Sequence, residues 1–258
     1  MERADKKKLI ENALRYAAYF LAFLVTPFLA AVVGEWFVWV GYGRMTPFFT
    51  NIFTMIFWLL EFIVLLIVDA VLKRQRAKKE TAEEKQLTLE ELALETSAEE
   101  KPKKKRTPPL PLKNLFVLTA IVALCVLFIS AQIDFKVKPF YEIGEKVNGY
   151  EFWNKISGFT CNMVKCVWIV LLMGVALEFF KTLFAEIPNE KQKRGAIWFA
   201  VIVAILPFAL YDVLISGMSL AFGLTYLFLF YPAFVLVYYF TEQRGVQAYL
   251  LIMFIYIF

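Results

Sequence analysis

Histidine is missing from all 258 residues. Its absence removes the commonest general base, the commonest metal and haem ligand, and the side chain that titrates near neutrality. No metal or other cofactor is therefore expected. Cysteine is scarce and odd in number, with Cys125, Cys161 and Cys166 each in or beside an apolar run. Cys161 and Cys166 are five residues apart, which on a helix directs them to different sides, so inert thiols are expected rather than a redox pair. The chain has no GxSxG, GxGxxG, P-loop or HExxH signature, and no enzymatic activity is expected. Glycine is sparse as well, at 11 residues. That disfavours a rocking transporter, whose broken helices use Gly and Pro, although Pro27, Pro207 and Pro232 keep helix breaks available.

Apolar residues are abundant: 60% of the chain is hydrophobic, 17% is aromatic and the mean hydropathy is +0.61. Soluble domains carry roughly 45–50% apolar residues, so this excess must face lipid. The formal net charge of +5 does not indicate nucleic acid, because the basic residues cluster beside apolar runs, as membrane orientation requires. Only helices or closed barrels satisfy the backbone in lipid. The expected fold is an all-α, polytopic transmembrane bundle in contact with membrane lipid.

About 20 mainly apolar residues cross the bilayer core. That template predicts spans over 13–33, 48–72, 115–132, 158–180, 196–211 and 220–240. A last run, 246–258, has 13 residues and reaches only about 20 Å, making a candidate short seventh helix. The first span has a basic start and a Leu29-Ala30-Ala31 that together resemble a signal peptide, but a retained helix kinked at Pro27 is expected. The chain then divides into an N-terminal hairpin, 1–72, a charged loop, 73–113, and a C-terminal bundle, 114–258. Lys6, Lys7, Lys8, the basic clusters at 73–79 and 101–106, and Lys191, Lys193 and Arg194 fall on one side of these spans. By the bias of Lys and Arg toward the cytoplasm, the N-terminus is expected inside, in a plasma (inner) membrane.

The loop runs basic, then acidic, then basic again. Thr88-Leu89-Glu90-Glu91 fits a capping box, placing Leu89, Leu92 and Ala93 on one face of a short amphipathic helix. Lys105 to Pro111 fits K-x-x-P-x-x-P through Pro108 and Pro111, a pattern a proline-binding groove can read and a stiff spacer also satisfies. Leu89, Leu92, Pro108 and Pro111 are the candidate contacts to a protein partner at this loop. The basic clusters are also suited to anionic headgroups.

Between the first two spans lies Val40-Gly41-Tyr42-Gly43, then Arg44 and Met45-Thr46-Pro47. This string resembles the selectivity filter of potassium channels, in which glycines let successive carbonyls face one axis. Three departures separate it from that family. Trp39 stands where the family has threonine, Arg44 follows the second glycine where aspartate is usual, and only seven residues, 34–40, follow the first span, too few for a pore helix. The expected role of Gly41, Tyr42, Gly43 and Arg44 is an aromatic-flanked turn at the outer mouth of the bundle. The closing "GVQAYLLIMFIYIF" is similar to the last helix of the proton-channel subunit of rotary ATP synthases. That family needs an arginine on the preceding helix, and residues 213–240 contain none.

Ionisable residues inside spans point best to function, since each costs at least a few kcal/mol unless paired or hydrated. Glu61 falls near the middle of the second span, Lys165 about two turns into the fourth and Asp212 near the outer end of the fifth. Asp69 and Glu178 sit near helix ends beside Lys73 and Lys181 and can snorkel. Glu61, Lys165 and Asp212 are the transport or coupling candidates. The expected function is transport, as an ion or small-solute permease or channel or a membrane subunit of a transport complex, with an oligomer open. The alternative is a non-catalytic scaffold or regulatory subunit that binds its partner through 73–113.

Overall fold

A computed structural model of the chain describes residues 3–91, 108–132, 149–215 and 220–257. Helix α1 runs over Arg3–Phe37 and α2 over Thr46–Glu91. After them come α3, Leu112–Gln132, α4, Gly149–Leu183, and α5, Glu190–Ile215. The short α6, Leu220–Thr225, leads through a π-helical turn, Tyr226–Phe230, into α7, Tyr231–Phe240, and then α8, Gly245–Ile257. No strand occurs among the described residues. Six segments are long and apolar enough to cross a membrane: Lys8–Gly41, Thr46–Val71, Leu112–Ala131, Gly149–Leu183, Glu190–Ala209 and Gly223–Phe240. The multi-pass helical class inferred from composition is therefore the observed one.

The helices begin and end where local chemistry dictates, which often differs from where hydropathy changes. Helix α1 starts about ten residues before its apolar run, because its charged first turns carry good helix formers and no Gly or Pro. Pro27 lies inside α1, a placement membrane helices accommodate. Helix α2 does not stop near residue 72. "KRQRAKKETAEEKQLTLEE" contains neither Gly nor Pro, so nothing interrupts the backbone ladder before Glu91. Leu89 therefore belongs to the backbone of this continuous helix. Its side chain and the whole of Leu92 lie outside the described residues. Pro232, at the first turn of α7, lacks an N–H and crowds the carbonyl four residues before it. The widened turn at Tyr226–Phe230 accommodates that break.

The chain separates into two units, Met1–Trp58 with Leu110–Phe258, and Leu59–Pro109. In the first, α4 is the central helix and packs against α1, α5 and α8, while α7 packs against α3, α5 and α8. Over half of the most apolar 18-residue stretch of α4, 56%, is buried. At mid-bundle Phe23 of α1 stacks on Trp58, with centroids 5.1 Å apart, and meets Phe208 of α5 edge-on at 4.6 Å. Trp168 of α4 closes the cluster against Tyr19, Phe23 and Trp58. Lipid is as apolar as these rings, so dispersion and fit hold the cluster together more than transfer from water does. The second unit is the remainder of α2 and the proline segment after it. Apolar side chains along its lipid-length portion, Leu60, Val64 and Ile67 among them, are exposed.

Candidate functional site

The residues singled out from the sequence fall at separate places. Glu61 lies on α2 in the second unit, half buried, with one carboxylate oxygen buried, within a span of mean hydropathy 2.4. Lys165 is half buried near the middle of α4, deeper into its helix than two turns, because α4 begins at Gly149. Asp212 belongs to the backbone of α5, and its side chain lies outside the described residues. Pro108 and Pro111 are exposed.

The filter-like string forms a π-helical turn, Val38–Tyr42, and then one 3₁₀ turn, Gly43–Met45. Gly41 has φ +97° and ψ 5°, a left-handed conformation that interrupts the helix between α1 and α2 and that other residues adopt only with strain. The string is thus a kink between two helices. Trp39 is 92% exposed and Gly41 and Gly43 are exposed, while the side chains of Tyr42 and Arg44 lie outside the described residues.

Two polar clamps hold α4 to its neighbours, and neither is visible in the sequence. At one end the Asn12 amide donates to Thr182 Oγ1 at 2.9 Å and the Arg15 guanidinium pairs with Glu178. Tyr16 of α1 stacks on Phe179 beside them, with rings 4° from parallel. At the other end Asn154 Oδ1 accepts the Phe48 backbone N–H at 3.0 Å, and the Asn51 amide donates to Ser157 Oγ at 3.1 Å. The Phe48 bond satisfies one of the N–H groups that the first turn of α2 leaves without an intrahelical partner. Thr46 Oγ1 donates to Gly43 O at 2.7 Å, and Pro47 sits in the first turn, where its missing N–H costs nothing. Gly34 of α1, buried, lies against Thr50 of α2 so closely that a Cβ would stand 2.2 Å from Thr50 Oγ1.

A cavity of about 810 Å³ opens where α3 and α5 begin and α4 and α7 end. Lys113, Lys181, Lys193 and Arg194 line it, with Glu190 and Glu242 as its acids among the described residues. Glu190 faces Lys193 at 3.5 Å, and Glu242 accepts from Arg244 at 2.9 Å. Lys181 Nζ donates to Gln243 Oε1 at 3.2 Å. The wall after α7 is a tight turn in which Glu242 and Gln243 hold φ of 55° and 63°. Asn189 Oδ1 accepts the N–H groups of Lys191 and Gln192 at 3.0 and 3.3 Å, capping α5 so that its first turn faces the cavity. Trp198 and Tyr239 meet edge-on at 4.9 Å and also line a second hollow of about 540 Å³. That hollow runs between α5 and α7 past Gly195, Ile202, Val235 and Leu236.

Comparison with protein-family models, curated proteins and solved structures returns no match. The fold and its sites define a multi-pass helical membrane protein.

Proposed function

We infer that this is a transport protein, an ion or small-solute permease or channel or the membrane subunit of a transport complex, with Glu61 as its coupling group. One observation carries the reading: a carboxylate with a buried oxygen sits inside a span of mean hydropathy 2.4. An ionisable group at that depth costs several kcal/mol and is retained where it binds a proton or cation or meets another charge. Lys165 is the secondary candidate in the span of α4. The distribution of Lys and Arg supports a cytoplasmic N-terminus and residence in the plasma (inner) membrane. The absence of histidine and of hydrolase or nucleotide-binding motifs supports a non-enzymatic role without a cofactor or nucleic acid. The test is flux of protons, sodium and potassium into liposomes holding the full-length protein. Glu61→Gln should abolish a flux that the wild type supports, with the melting temperature retained. Equal flux in both would overturn the assignment.

A second reading is a scaffold or regulatory subunit, and the length of α2 favours it. Its 46 residues extend about 69 Å at 1.5 Å per residue, beyond what a bilayer core of about 30 Å occupies. Under this reading the charged extension docks a protein partner. Removal of residues 80–100 would release a stoichiometric partner in native mass spectrometry, and Glu61→Gln would leave flux unchanged.

A further inference from the structure

We propose that the cavity between the ends of α3, α4, α5 and α7 is a binding site for one anionic phospholipid. Its phosphate would lie among Lys113, Lys181 and Arg194, and one acyl chain along the groove between α5 and α7. Three features of the site converge on that occupant, independently of the transport reading.

The first is level. Lys113 stands at the start of the span Leu112–Ala131, Lys181 near the end of Gly149–Leu183, Arg194 in the first turns of Glu190–Ala209 and Tyr239 near the end of Gly223–Phe240. Four spans therefore bring their ends to one rim, at the boundary where lipid phosphates lie. Trp198 and Tyr239 give that rim the amphipathic rings typical of the interface.

The second is charge. Four cations line the cavity against two carboxylates, and both carboxylates have cationic partners of their own in Lys193 and Arg244. Among the described residues no acid lies within ion-pair distance of Lys113, Lys181 or Arg194. Three exposed basic side chains on one lining give the hollow a positive potential that favours an anion, and the fork of Arg194 matches a phosphodiester. Basic pockets between membrane helices on one side of the bilayer suit anionic headgroups.

The third is continuity. Glu190, Arg194, Trp198 and Tyr239 line both the cavity and the adjoining groove. From Arg194 to Ile202 the groove descends eight residues of helix, about 12 Å toward the membrane interior. Its wall there is Ile202, Val235 and Leu236, chemistry suited to an alkyl chain. Gly195 lines this passage, and the space beside it is open, since a Cβ there would meet nothing within 4 Å. A free phosphate would account for the cations and leave the groove without purpose. An apolar molecule would account for the groove and leave the cations unmatched.

The test is native mass spectrometry of the full-length protein in detergent micelles, titrated with phosphatidylglycerol, phosphatidylcholine or inorganic phosphate. One phosphatidylglycerol should remain bound with at least tenfold preference over phosphatidylcholine, and inorganic phosphate should not displace it. Each cation removed should weaken binding about fivefold, so Lys113→Gln/Lys181→Gln/Arg194→Gln should lose about a hundredfold and with it the preference. Gly195→Leu places a side chain in the groove, its Cβ meeting nothing within 4 Å, and should weaken both lipids while leaving the cations in place. Should the triple variant not fold, Arg194→Gln alone must still show the fivefold loss. Equal retention of the two lipids by the wild type, or unchanged affinity in the charge variants, would overturn the proposal. Displacement by millimolar phosphate together with an unaffected Gly195→Leu would make this a free-phosphate site and overturn it as well.

Discussion

Gly34→Ala offers the sharpest check on how α1 and α2 meet. The added Cβ would stand 2.2 Å from Thr50 Oγ1 and 3.3 Å from both Thr50 Cβ and Thr50 N. Carbon reaches its best contact at about 3.5–4.0 Å, so the first distance is a hard overlap and the other two are tight. Rotation about χ1 moves Oγ1 but leaves Cβ and the backbone N in place, so the helices themselves must separate by a few tenths of an ångström. Overpacking of this kind costs about 1–3 kcal/mol. Against it stands the better helix propensity of Ala, up to about 1 kcal/mol. The net expectation is a loss of about 1–2 kcal/mol, or a melting temperature lower by about 2–8 °C for a chain of this size. Thermal unfolding in detergent, followed by tryptophan emission and by monodispersity on size exclusion, reads the shift. Thr50→Ala removes Oγ1 and should be nearly neutral alone. In Gly34→Ala/Thr50→Ala it should recover more than half of the loss, a coupling that a double-mutant cycle isolates. A Gly34→Ala variant that melts at or above the wild type would refute the close approach. A cycle without coupling would refute the part given to Thr50.

Gly41→Ala forces a side chain into a left-handed backbone at φ +97° and should cost about 1–2 kcal/mol in the same melt, with Gly41→Asn milder. Asn154→Ala leaves the Phe48 N–H at the start of α2 without its acceptor and should cost about 1–2 kcal/mol. Asn154→Asp keeps the acceptor, adds a charge favoured by the helix N-terminus, and should melt at or above the wild type.

The spans were legible because each is an apolar run of bilayer length, a signal needing no knowledge of partners. Helix ends were less so. The charged stretch after residue 72 marks the end of the apolar run, yet its Lys, Glu, Ala and Gln are good helix formers, and α2 continues to Glu91. Hydropathy reports solvent preference, and helicity depends on propensity and breakers. The interhelical polar bonds were invisible for a different reason. Asn154 and Phe48 are 106 residues apart, and Asn12 and Thr182 are 170 apart. Nothing local marks either asparagine. Glu178 illustrates the same limit: beside Lys181 in the sequence, it pairs instead with Arg15 of α1, across 163 residues. The cationic cavity draws on α3, α4, α5 and α7, and its basic residues lie up to 194 − 113 = 81 positions apart in sequence, from Lys113 to Arg194, so nothing local joins them.

The two clamps on α4 bear on how the bundle keeps its register in lipid. From Asn154 to Glu178 is 178 − 154 = 24 residues, about 36 Å of helix, slightly more than the hydrocarbon core of about 30 Å. The clamps thus lie toward the two ends of the membrane-length helix α4. Between them lies the aromatic cluster of Tyr19, Phe23, Trp58, Trp168 and Phe208. Aromatic packing in lipid is strong in sum but tolerates sliding, because one ring face resembles another. Hydrogen bonds of fixed geometry at both ends do not tolerate it. The glycine contact at Gly34 and the polar clamps thus set where α1, α2 and α4 stop relative to one another, and the rings fill the interior that results.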